Sequence, residues 1–169
     1  MKCDTFAQDL RQLQTDPVQV LCTSQDYYKG NNMRDLYHNV LVSQHLNPVV
    51  STTVKTSTTI DLQGYNAANI IFSIGLAADT LSGSVYWTLK LQHSDDDISY
   101  ADVAITDLNS PSLTVVVNSA VTDKNAYSFG YQGAKRYLKA VATPTGTHTL
   151  GTPIAIVAVR GTPAYSPVI

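Results

Sequence analysis

The stretch SVYWTLKLQHS, residues 84 to 94, decides the fold class. Val85, Trp87, Leu89 and Leu91 fall on one side of an extended chain; Tyr86, Thr88, Lys90 and Gln92 fall on the other. Such alternation marks a strand with one buried face, whereas a helix would scatter the same residues around its circumference. The pattern predicts Trp87 in the core. Farther out, NIIFSIGL (69–76) sets Ile70, Phe72, Ile74 and Leu76 on one side and Ile71 on the other, which predicts a central strand covered on both faces.

The same period recurs in SLTVVVNS (112–119), AYSFGYQ (126–132), KRYLKAVA (135–142) and TPIAIVAVRG (152–161). Between these runs lie SDDD, TDKN, QGA and TPTGTH, all rich in turn-forming residues. Adding NVLVSQ (39–44), TTIDL (58–62) and SYADVAI (99–105) gives about eight or nine strands with no internal helix. An all-β fold follows: an antiparallel β-sandwich or jelly-roll-like domain over residues 33–169. Parallel α/β architecture is excluded because no crossover segment reads as a helix. The tail GTPAYSPVI, with prolines at 163 and 167, is expected to leave the sheet interior as an exposed arm or edge.

Residues 1–32 read differently. Phe6, Leu10 and Leu13 sit at helical spacing behind Asp4 or Thr5 as a cap, and Asp16-Pro17 ends the run, so a short helical or extended N-terminal arm is expected. Cys3 and Cys22 both lie in this segment and read as reduced thiols, with a Cys3–Cys22 bridge as the alternative. Met33 is a second candidate start. The codons of Lys29-Gly30 must read AARGGN, which resembles a ribosome-binding site, and only Asn31 and Asn32 separate them from it.

Composition narrows the chemistry. The chain has 169 residues with 14% charged, all thirteen acids are Asp, and the net charge is −2. That balance gives no electrostatic reason to bind a polyanion. Asp4 and Asp9 interrupt any signal-peptide core, and no run reaches membrane-spanning length, so neither nucleic acid nor membrane is an expected partner. HSDDD (93–97) gathers an imidazole and three carboxylates, but without the glycine and terminal Glu of a calcium loop it reads as a hairpin turn whose Asp side chains cap backbone amides. His38, His45, His93 and His148 stand on separate segments without metal-ligand spacing. No nucleophile elbow or phosphate loop is present. No catalytic, cofactor or metal residue is assigned.

Residues 130–141, GYQGAKRYLKAV, hold Lys135, Arg136 and Lys139 beside Tyr131 and Tyr137. This is the composition of a single-strand nucleic-acid platform. Alternation, however, parts Arg136 and Leu138 from Lys135, Tyr137 and Lys139, and predicts a glycine-permitted hairpin leading into a strand with a cationic solvent face.

From Met33 onward the chain resembles a family of small structural proteins of tailed bacteriophages, over about four fifths of its length. The resemblance rests on MRDLYHNVLVSQHLNPVV, IDLQGYNAANIIFSIG, LKLQHSDDDISYADV and FGYQGAKRYLKAV, with Gln132 and Ala134 where Arg and Gly are more usual. It implies a non-enzymatic virion protein that decorates or cements the capsid exterior as a homo-oligomer, with the major capsid protein or another virion protein as partner. The rival expectations are a carbohydrate- or receptor-binding sandwich of a tail or head fibre and, last, a hydrolase using scattered Asp residues.

Overall fold

In a computed structural model, which describes residues 36–164, the chain forms two antiparallel sheets packed face to face. These residues belong to a compact unit, Asp35–Ile169. The predicted arm, Cys3, Cys22 and Met33 lie outside the described residues. In chain order the strands are β1 (Val40–Ser51), β2 (Lys55–Thr56), β3 (Ile60–Asp61), β4 (Tyr65–Ile74), β5 (Tyr86–Ser94), β6 (Ala101–Asp102), β7 (Leu108–Asn109), β8 (Thr114–Val117), β9 (Ala126–Tyr131), β10 (Tyr137–Thr145) and β11 (Thr152–Pro163). One sheet runs β1-β11-β4-β9-β7. The other runs β2-β10-β5-β6, with β3 also on β10 and β8 also on β5.

Setting aside β3, β6 and β7, three of the four two-residue strands, and numbering the other eight in chain order, the sheets run 1-8-3-6 and 2-7-4-5. This is a jelly roll. The pairs β1·β11, β2·β10, β4·β9 and β5·β8 are successive stretches of one antiparallel ribbon, rolled so that alternate stretches fall in opposite sheets. Rolling places the apolar side of every stretch inward. Trp87, Leu89 and Leu91 of β5 share one buried cluster with Ile154, Ile156 and Ala158 of β11, to which Ile70, Phe72, Phe129 and Leu138 also belong. Phe72 and Phe129 pack edge to face at 5.6 Å. As the alternation requires, Trp87 is fully buried.

Expectations are refined at four places. The QGA segment is not a hairpin: β9 belongs to one sheet and β10 to the other, so residues 132–136 carry the ribbon across. Tyr131 holds this crossing, its hydroxyl accepting from the Lys135 amide at 3.1 Å and lying 3.1 Å from His93 Nδ1. A Cβ on Gly133 would come within 2.6 Å of the Tyr131 ring carbon that bears that hydroxyl, which explains the glycine. Beside it the ribbon's other strand crosses too. Leu62 N donates to Arg136 O at 2.9 Å, and the Arg136 guanidinium clamps the Asp61 carboxylate at 2.9 and 2.7 Å.

The tail begins as an edge rather than an arm, because β11 continues through Gly161 to Pro163, paired with β4 as far as Tyr65. Proline is tolerated there. Ala164 N donates to Gly64 O at 2.8 Å, so the Pro163 nitrogen faces away from β4, toward the side where pairing with β1 has already ended at Val40–Gly161. Residues 165–169 lie outside the described residues. Finally, β4 is central but covered on one face only. Ile70, Phe72 and Ile74 are buried, Ile71 is half-buried on the outer side, and Leu76, beyond the strand, is exposed. The SYADVAI segment shrinks to β6 and a 3-10 turn at Ile105–Asp107, because β8 takes the edge of β5 along Trp87–Lys90.

Candidate interaction surface

The sandwich has two unlike ends. At one, Asp61, the crossing 132–136 and the loop 95–100 carry charge. Each cation of the 130–141 stretch is partnered here: Lys135 with Asp95 at 2.9 Å, Arg136 with Asp61, and Lys139 over the Tyr100 ring at 3.9 Å. Arg136 precedes β10 and stays half exposed, whereas Leu138 points into the core. In the HSDDD turn, Asp96 accepts from the Ile98 and Ser99 amides, both at 2.9 Å, and from Ser94 Oγ at 2.7 Å. The amide-capping turn is thus present. A cleft of about 380 Å³ opens between the crossings, walled by Tyr65, Asn66, Tyr131 and Arg136.

The four histidines are not brought together. His93 is buried at this end against Tyr131, His45 bridges Ser43 and Thr58 along β1, His148 is buried at the far end, and His38 packs on Tyr37. Among the described residues, no group of three or more His, Cys, Asp or Glu is disposed to hold a metal ion, and no helix is long and apolar enough to cross a membrane.

The far end is mostly apolar, with Lys124 exposed among its loops. Val50 near the end of β1, and Val54, Leu76, Val121 and Leu150 on the loops that follow β1, β4, β8 and β10, are all more than half exposed. Its two carboxylates are turned inward. Asp79 receives the amides of Thr149 and Leu150 at 2.9 Å, that of Gly151 at 2.7 Å, and the Thr149 hydroxyl at 2.9 Å. Asp123, also buried, accepts from the Ala77 amide at 3.2 Å. The loop 75–85 is therefore pinned on both sides, to residues 149–151 and to residue 123. Lys124 N donates to Gly75 O at 3.4 Å, and Ala78 N to Gly151 O at 3.1 Å, which closes the arrangement.

Loops held this way keep exposed Leu and Val side chains from folding back onto the core. Sequence reading found neither clamp. Asp79 and Thr149 are seventy residues apart, and nothing local in AADT or THTLG announces the pairing.

These engagements set an acid sensitivity. Amide donors, Leu150 foremost, hold the Asp79 carboxyl well below the usual range; the Ser99 amide leads those that bring Asp96 down to about 2; and Arg136 lowers Asp61. Burial lowers the His45 and His93 imidazoles. In every case the unfolded chain binds protons more readily than the fold, so stability is complete above the unfolded values and is lost as pH falls. The thermal midpoint is expected to decline first below the ordinary histidine value of 6.5, then steeply below 3.8. A midpoint constant from about pH 8 to about pH 3 would contradict this.

Fold and surface define a jelly-roll domain with one charged end and one apolar, pinned end. No protein-family model matches the chain, and no curated protein matches it in sequence.

Proposed function

We propose that the domain is a non-enzymatic structural protein of a tailed-phage virion, a decoration or cement protein seated on the outer capsid surface. The observation that carries this reading is the apolar end, where Leu76, Leu150 and Val121 are presented on loops fixed by buried carboxylates. Rigid apolar tips suit a docking contact because they lose little conformational freedom on binding. The resemblance over residues 33–169 supplies the virion setting. Its shared motifs fall on structural positions: the Asp96 turn, and the Tyr131–Arg136 crossing. The described carboxylates are largely committed to turns and ion pairs, as in the bidentate Asp61–Arg136 and Lys90–Asp102 contacts. Trp87, the platform a sugar-binding module would offer, is in the core.

Co-sedimentation of the purified protein with capsids stripped of it tests the reading. Saturable binding is expected, and the Leu76→Asp/Leu150→Asp variant is expected to bind at least about tenfold more weakly. Absence of binding to capsids, or undiminished binding by that variant, overturns it.

A further inference from the structure

The two outer faces of the sandwich differ as sharply as its ends. The β5–β10 face carries Lys90 and Asp102, paired at 2.8 Å, together with Lys139. On the five-stranded sheet, the outward positions of β1, β11, β4 and β9 are Val, Ala, Ile, Ser, Asn, Gln, Gly and Pro, with Tyr65 where β4 begins opposite Pro163, and carry no charge. One row runs Val42–Val159–Asn69–Gly130 and the next Gln44–Val157–Ile71–Ser128, each residue in register with its neighbour. Val42 is 60% exposed, and no described element covers the face.

We propose that this face packs against the same face of a second copy of the chain, in a two-fold dimer. Charge selects a second copy. In a two-fold contact a patch meets itself, so a charge near the axis faces its own like. The β5–β10 face would bring lysine toward lysine; the uncharged face brings valine and isoleucine toward each other.

Area is sufficient. Four strands about 4.8 Å apart, with same-face residues about 6.8 Å apart over three to four rows, span roughly 450 Å² per copy. With side-chain relief this is about 1,000–1,200 Å² of accessible surface over the pair, enough for a weak dimer at the boundary below the standard specific interfaces. Short side chains also let two such sheets approach to the usual spacing of about 10 Å. Dimerisation does not rest on the virion role, and capsid binding and self-association are separable measurements.

Sedimentation velocity of the full chain over about 1–100 μM is the test. The expected species has twice the 18.3 kDa chain mass. Ile71→Lys and Val42→Lys are expected to raise the dimer dissociation constant at least about tenfold, and Thr88→Lys on the opposite face to leave it unchanged. Val42 is exposed, so its variant keeps the fold, as circular dichroism and the urea midpoint will verify. A monomer throughout the range overturns the proposal. So does a dimer that survives both lysine substitutions, whether its contact is a strand edge or residues 1–35.

Discussion

Trp87→Ala is expected to remove about 3–5 kcal/mol of unfolding free energy, enough to leave a domain of ordinary stability marginal. The indole is fully buried where β5 faces β11, it packs on the His148 ring at 5.0 Å, and its Nε1 donates to Thr152 Oγ1 at 3.0 Å. Both partners of that hydrogen bond are inaccessible to water, so removal of either strands the other. Thr152→Val alone is therefore expected to cost about 1–3 kcal/mol. After Trp87→Phe the same change should cost much less, because no donor remains to be left unpaired. Urea unfolding of the four proteins measures the coupling. If Thr152→Val costs as much with Phe at residue 87 as with Trp, the hydrogen bond does not join the sheets as described.

Gly146→Ala is the second large effect, at about 2–4 kcal/mol from two additive causes. Gly146 has φ +82°, a region that L residues enter at a cost, and its Cβ would collide with the Ser84 carbonyl oxygen and approach Val85 Cα at 3.1 Å. Those atoms are backbone and cannot rotate away. Relief requires the loop 146–151 to move, and with it the amides that hold Asp79. Faster amide exchange at Thr149–Gly151 should accompany the loss in stability. Gly83, with open space around its Cβ position, is the control: Gly83→Ala is expected to be near neutral. Equal midpoints for the two alanine variants would show that the 146–151 loop is not held against Ser84.

Both predictions concern places where the rolled ribbon is locked rather than where its strands alternate, and these differ in how far the sequence reveals them. Trp87 was legible because its neighbours at 85, 89 and 91 share its side of the strand. Gly146 was legible as a turn residue but not as a contact, since Ser84 lies sixty-two residues earlier. Tyr131 and Arg136 belong to a stretch that reads as a hairpin leading into a strand with a cationic solvent face; the structure uses one to pin a crossing and the other to bind Asp61. The pattern GYQGAKRY is the same for a hairpin and for a crossing between sheets, because both need glycine and short polar residues. Which one forms depends on whether β4 and β5 have already claimed the edges of β9 and β10.

By itself the sequence determined that the chain is all-β, which side of each long strand is apolar and where most turns fall, because these depend on neighbours two residues apart. Only the tertiary structure decided the rolling of the ribbon, the Asp79 and Asp123 clamps, and the contrast between a charged and an uncharged outer face. Those features join residues separated by tens of positions. Their pairing is settled by which apolar surfaces can be buried together, a condition on the whole chain that no local stretch records.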